Sequence, residues 1–189
     1  FLFDAELAVT PMEELRADAE AILARLTADP RVAVDRLEVE ISVERSSLLN
    51  SLGVNQSERQ TTITWDFLAM ARDGGDVSGM AYDRGFSFSK TGWLDRALQL
   101  VDTFARKLIG NLRPRKFPSY KGPVVLSAHA VQDILLEVIL YHIAGRSVMD
   151  GKSKWAKALG QQVLAPLLTL TDNPLGPELI GATSYDGEG

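Results

Sequence analysis

No cysteine occurs among the 189 residues, and there are only two histidines, His129 and His142. The first absence excludes a disulfide framework and a thiolate metal site within the chain, which fits a reducing compartment. The second confines imidazole chemistry to two positions. No apolar run approaches the roughly 20 residues of a membrane-spanning helix, and no signal-peptide pattern opens the chain. Basic residues are in deficit: 20 Lys and Arg against 25 Asp and Glu leave a net charge of −5, whereas a nucleic-acid footprint needs a basic face. A cytoplasmic protein with no membrane and no nucleic-acid partner is the expectation.

Hydrophobic residues make up 46% and charged residues 24% of the chain, the balance of a globular protein long enough to bury a core. The chain opens on Phe1 rather than Met and closes on Tyr185-Asp-Gly-Glu-Gly189 with no obvious terminal element, so a segment of a longer protein is expected.

Thr10-Pro11-Met12-Glu13 predicts a helix start, with Thr10 as cap, Pro11 in the first turn and Glu13 completing a capping box. Met12, Leu15, Ala19, Ile22, Leu23 and Leu26 then form an apolar stripe that ends at Asp29-Pro30. From Leu37 the period becomes two: Leu37, Val39, Ile41 and Val43 alternate with Glu38, Glu40, Ser42 and Glu44, a strand with an acidic outer face. Val32 and Val34 lie in the opposite phase, which predicts a bulge near Asp35.

Asn50-Ser-Leu-Gly53 reads as a turn. A second strand over Gln60–Arg72 places Ile63, Trp65, Phe67 and Ala69 on one face. Asp73-Gly-Gly-Asp76 signals a hairpin, and a third strand is expected from Val77 to about Lys90. A helix follows from about Trp93 to Ile109, with Leu94, Leu98, Val101, Ala105 and Leu108 inward, and Asn111–Pro118 reads as a solvated basic linker. The expected fold class is α+β. Residues 1–117 form helix, three-stranded antiparallel meander and helix, and residues 118–189 begin a second, incomplete α+β unit. That second unit is expected to hold a strand at Pro123–Leu126, a helix from Ala128 to about Ala144, a short helix around Trp155 and a strand from Val163 to Leu170.

Both histidines fall on the Ala128–Ala144 helix, where His129, Asp133 and Glu137 are spaced i, i+4, i+8 and share a face. Imidazole and carboxylates are suited to zinc or a similar ion, so a metal-dependent hydrolase using these three is one reading. Against it, His142 lies about 140° round the helix from Glu137, and no His-Glu-x-x-His pattern supplies paired ligands and a general base. The other reading is a polar helix edge.

Two further patterns fail on context. Gly145 to Ser153 ends in Gly-Lys-Ser, but five residues separate its glycines where a phosphate loop has four, and a helix precedes it instead of a strand. It reads as a turn. Ser87-Phe-Ser-Lys90 has Ser-x-x-Lys spacing, but at a strand end the two side chains point to opposite faces.

The order of several short motifs resembles the TldD/PmbA family. They are Leu2-Phe3-Asp4, Asp29-Pro-Arg-Val32, Asn50-Ser51-x-Gly53, the Gly122-Pro-Val-Val-Leu126 segment with its helix, Leu159-Gly160, Leu168-Thr-Leu-Thr-Asp-Asn-Pro174 and Tyr185-Asp-Gly-Glu-Gly189. The resemblance spans nearly the whole chain and implies the family's middle domain and the start of its carboxy-terminal domain.

The family's active TldD subunits are zinc metallopeptidases with a His-Glu-x-x-x-His motif on the matching helix. That motif falls here on Glu137, Val138 and His142, and a valine cannot activate water. The resemblance therefore implies a non-catalytic PmbA/TldE-like subunit, with no catalytic residue, cofactor or metal of its own and zinc held in a catalytic partner. It also implies a peptide substrate, a heterodimer with a TldD-like subunit or a homodimer, and a role in peptide maturation or degradation, with any modulation of DNA gyrase as an indirect effect. The first unit would be scaffold and chamber wall, its strand edges open to an extended peptide. The alternatives are the independent hydrolase of His129, Asp133 and Glu137, and a self-associating structural module.

Overall fold

The computed structural model describes residues 2–176 and 182–185. These fall into two units, Phe117–Asp172 and the remainder of the chain.

A long hairpin frames the larger unit. Strand β1 (Val32–Leu49) pairs antiparallel with β2 (Asn55–Asp73), from Val32 opposite Ala71 to Leu49 opposite Asn55. Alternation turns Ile63, Trp65, Phe67, Ala69 and Ala71 of β2, and Leu37, Val39 and Ile41 of β1, onto one apolar face. Glu38, Glu40, Glu44 and Asp66 are left on the other. The register slips between Val34 and Arg36, so the predicted bulge is present at Asp35. Without that extra residue Val32 and Val34 could not share a face with Leu37. At the hairpin tip Asn50 Oδ1 accepts the N–H groups of Leu52 (2.9 Å) and Val54 (3.1 Å), and Gly53 supplies the positive φ, 97°.

The third strand departs from expectation by splitting. The Asp73-Gly-Gly-Asp76 turn forms, with Arg72 opposite Val77, but only β3 (Asp76–Val77) follows it directly. Strand β4 (Ala81–Ser87) then pairs with β2, from Ala81 opposite Ala69 to Ser87 opposite Ile63. Ser78 makes the break. Its Oγ accepts the Ala71 N–H (2.8 Å) while its own N–H goes to the Ala71 carbonyl (2.8 Å), so a side chain occupies a ladder position.

A one-turn helix that periodicity does not reveal, α1 (Ala5–Ala8), opens the chain, capped by the Asp4 carboxylate. Helix α2 (Met12–Leu26) follows with Pro11, not Thr10, at its cap and no side-chain cap bond. Thr10 Oγ1 donates instead to the Glu6 carbonyl (3.1 Å), closing α1. Of the predicted stripe Leu15, Ile22 and Leu26 are buried, whereas Met12 and Leu23 are exposed. Helix α3 (Trp93–Gly110) starts after Gly92, which takes a left-handed φ of 68°. Its buried line is Trp93, Ala97, Val101, Phe104 and Leu108, one residue round from the predicted line of Leu94, Leu98 and Ala105, which are partly buried.

Both long helices pack on the apolar face of the sheet. Phe67 meets Phe104 at 4.9 Å between ring centroids, and Trp65 meets Trp93 at 5.7 Å. The linker is not wholly solvated: Arg113 forks to Asp73 (2.8 Å) and Asp76 (3.1 Å) of the hairpin turn.

The smaller unit, Phe117–Asp172, contains α4 (Ala128–Val131), a wide π-type turn (Gln132–Leu136), α5 (Glu137–Ile143) and α6 (Gly145–Met149). The predicted Ala128–Ala144 helix is there, with the π-type turn in its middle. The strands predicted at Pro123–Leu126 and Val163–Leu170 are not, and Trp155 lies in turns where a helix was expected. A strand exists by pairing, and among the described residues neither segment has a neighbour to pair with. Val125 and Leu167 accordingly stand almost wholly exposed.

Candidate functional site

The helix from α4 to α5 carries His129, Asp133, Glu137, Val138 and His142, the residues singled out for metal chemistry or for the family motif. Ser127 starts it, its Oγ accepting the Ala130 N–H at 3.2 Å. His129, Asp133 and Glu137 are all exposed. The π-type turn lies between the first and the last of them, and its i→i+5 bonding advances the chain by less angle per residue than an α turn. That wider turn moves Glu137 off the simple i, i+4, i+8 line. Among the described residues no group of three or more His, Asp or Glu side chains is placed to hold a metal ion.

Glu137 and Val138, where the motif of the resembled family falls, share the first turn of α5, and His142, its third position, lies in the last. Glu137 and Val138 face solvent. His142 is half-buried and tied into the following loop. Its ring lies 5.3 Å from Tyr141 and 5.5 Å from Trp155, and its carbonyl accepts from Ser153 Oγ at 2.6 Å. Its Nδ1 accepts the Lys154 N–H at 3.3 Å. The donor set does not fit a resident zinc: Glu137 offers one carboxylate, Val138 offers nothing, and one nitrogen of His142 is engaged.

The Gly-Lys-Ser segment closes the helix end. Lys152 N and Ser153 N donate to the Ser147 carbonyl (2.9 and 3.1 Å), and Gly151 takes a φ of 70°. Lys152 Nζ pairs with Asp150 at 3.2 Å. These bonds hold a turn against α6 and pair the lysine with the residue that ends it. The Ser-x-x-Lys pair also separates. Ser87 Oγ accepts from Arg96 (2.6 Å) and donates to the Ser89 carbonyl (2.7 Å), while Lys90 Nζ lies 2.8 Å from Glu14.

One functional-looking motif proves to be structural. Asp4 of Leu2-Phe3-Asp4 accepts from Glu6 N and Leu7 N through one oxygen, and from Ser89 Oγ and Lys90 N, each at 2.9 Å, through the other. Those bonds, that from Lys90 N foremost, hold its carboxyl below the usual carboxylate range. Its own N–H goes to Thr61 Oγ1 at 2.9 Å, which joins the chain start to β2. Local sequence hides this role, because Thr61, Ser89 and Lys90 lie more than 50 residues away.

Sequence reasoning also missed how residues 182–185 pack. Ala182 is buried with Leu2 and Phe88, Ser184 N donates to Glu58 at 2.7 Å, and the hydroxyls of Tyr185 and Ser46 meet at 2.7 Å. The predicted features at residues 177–181 and 186–189 lie outside the described residues.

Comparison with known proteins finds two family models on the chain. A family model described as the PmbA/TldA metallopeptidase central domain matches residues 6–112, and one described as the C-terminal domain matches residues 119–189. "Metalloprotease PmbA" of Escherichia coli O157:H7 is 26% identical over 189 residues, covering 96% of this chain and 40% of that protein. An uncharacterised protein of Methanocaldococcus jannaschii is 26% identical over 183 residues, covering 94% of this chain and 42% of its own length. The chain thus spans about two fifths of the curated relatives it matches. A Thermotoga maritima crystal structure, described as a candidate modulator of a DNA gyrase, superposes with a TM-score of 0.86 at 21% identity. That match covers 100% of this chain and 43% of the other. No helix among the described residues is long and apolar enough to cross a membrane.

Proposed function

The chain belongs to the PmbA/TldD family, and from that premise we propose that it is part of a subunit with no catalytic activity of its own, acting beside a TldD-like catalytic partner in cytoplasmic peptide maturation or degradation. One observation carries the reading: Val138 stands where the family's catalytic glutamate falls, and a hydrocarbon side chain neither accepts a proton nor orients water. Glu137, in place of the first histidine, and His142, bonded into the loop that closes its helix, support it. In this reading zinc belongs to the partner, and the larger unit is scaffold and wall for an extended peptide. The acidic balance of the chain disfavours direct contact with DNA, so any effect on a gyrase would come through peptide processing.

The name of the E. coli relative favours a second reading, an independent metal-dependent hydrolase using His129, Asp133 and Glu137. Purification of the full-length protein from its native source, with partners identified by mass spectrometry and metal by elemental analysis, separates the two. Recovery of a homologue carrying His-Glu-x-x-x-His, with zinc following that homologue, is the expected result. Recovery alone with stoichiometric zinc, lost together with activity in His129→Ala, overturns it in favour of the hydrolase. A stable homodimer with neither zinc nor homologue points to a structural module.

A further inference from the structure

Strand β1 pairs with β2 along one edge, and among the described residues of its unit no strand pairs with its other edge. Eighteen residues of main chain, Val32–Leu49, therefore present a row of N–H and C=O groups to one side. Helix α2 lies along the same strand, and between them runs an open groove of about 420 Å³. Ala19 and Leu23 line it from the helix and Val34 and Leu37 from the strand, with the Arg16–Glu20 ion pair and Asp35 at its margins. No residue of β2, β4 or α3 lines it, so it opens on the β1 side.

The two faces of this edge differ in chemistry. Toward α2 the groove is floored by aliphatic side chains. On the opposite face Glu38, Glu40 and Glu44 stand exposed, and Arg36, the cation beside them, is committed to Asp66 at 2.8 Å. A strand laid against β1 alternates its side chains between these faces. Beside Val34–Leu37 the residues of one phase would enter the groove, and farther along the strand the residues of the other phase would lie beside the glutamates. A second copy of β1 does not suit the edge, because it would bring the same carboxylates against their like.

We propose that the β1 edge captures an extended peptide that alternates aliphatic with Lys or Arg residues, by strand addition, with its aliphatic side chains in the groove between α2 and β1. The proposal deepens the peptide-handling reading above and rests on it. Main-chain pairing makes the capture tolerant of exact sequence, and the glutamates make it selective for cationic chains.

The test is fluorescence polarisation on the full-length protein at low salt, with a labelled peptide of about eight residues alternating leucine and lysine. Saturable binding is expected that weakens about tenfold in the double variant Glu40→Lys, Glu44→Lys and falls as salt rises. Replacing the peptide's lysines by glutamate should abolish binding. Methylating alternate backbone nitrogens should weaken it at least tenfold in one of the two phases, because only one set of N–H groups faces β1. Leu23→Glu, a surface change that leaves the core alone, should also weaken it.

Equal binding of both methylated peptides, indifference to the charge reversal, or no binding to the wild type overturns the proposal. So does self-association of the protein that the charge reversal alters. Partner recovery is a separate readout. A peptide null with the catalytic homologue still recovered removes the β1 edge alone, whereas loss of the homologue removes the functional reading.

Discussion

Replacing Gly85 by alanine puts the packing of the larger unit to a test in which the sign of the effect decides. Gly85 lies directly across the ladder from Trp65. A Cβ added there would stand 2.7 Å from the indole Nε1 and under 3.0 Å from two further ring atoms. The ring has no retreat: Trp65 is 3% exposed, and Trp93 lies 5.7 Å away. Were there room, alanine in a strand would be more stable than glycine by about 0.5–1 kcal/mol. Overpacking a filled core costs roughly 1–3 kcal/mol instead. Urea unfolding of the full-length protein, followed by tryptophan fluorescence, should therefore show Gly85→Ala destabilised, its midpoint lowered by roughly 1 M for mid-range values of that cost and of the urea slope. Trp65→Phe in the Gly85→Ala background should recover part of the loss, since the clashing atoms belong to the indole. A more stable Gly85→Ala, or two substitutions whose effects simply add, would refute the claim that the indole is folded over Gly85.

Asp4→Ala should cost about 1–2 kcal/mol or more, because the cap of α1 and the bonds to Ser89 and Lys90 go together. The same urea assay checks it, and a cost below about 0.5 kcal/mol would mean that α1 and the chain start are not held through this carboxylate. Ser78→Ala removes the acceptor of the Ala71 N–H and should cost about 1–3 kcal/mol, read as a lowered midpoint. Asp29 is held down to about 2 from its ordinary 3.8, chiefly by its fork with Arg31. A folded-state pKa lowered in this way stabilises the fold fully above the ordinary value, and the stabilisation is lost as pH falls through the folded value. The gap in urea midpoint between wild type and Asp29→Asn should thus be steady above pH 3.8 and close toward about 2. A gap that does not change across that window would show the fork absent in solution.

Much of the larger unit was legible because its signals are local. The change of phase between Val34 and Leu37 required an extra residue, and the bulge is at Asp35. Asn50, Gly53 and the Asp73–Asp76 turn punctuate strands whose period of two is plain, and the α+β class follows. Misreadings came where two local solutions competed for one residue. Thr10 is a good cap by composition but serves the end of α1, since the Glu6 carbonyl is within its reach. Ser78 interrupts a sequence that reads as continuous strand, because a hydroxyl close to the ladder replaces a main-chain bond.

The candidate site was legible in a different sense. Val138, directly after Glu137 and four residues before His142, is a property of the sequence alone, and no folding changes what a valine lacks. The i, i+4, i+8 placement of His129, Asp133 and Glu137 assumed a uniform α-helix, and the π-type turn at Gln132–Leu136 removes that assumption. The sequence by itself determined the period of each segment, the positions of its turns and the chemical inventory of its helix, because these depend on neighbours a few bonds away. Tertiary structure alone decided which strands have partners, which carbonyl Thr10 serves, and that α2 lies along β1 to leave a groove beside an edge with no partner strand among the described residues. Each of those depends on groups that the chain brings together across tens of residues, and no local pattern encodes the meeting.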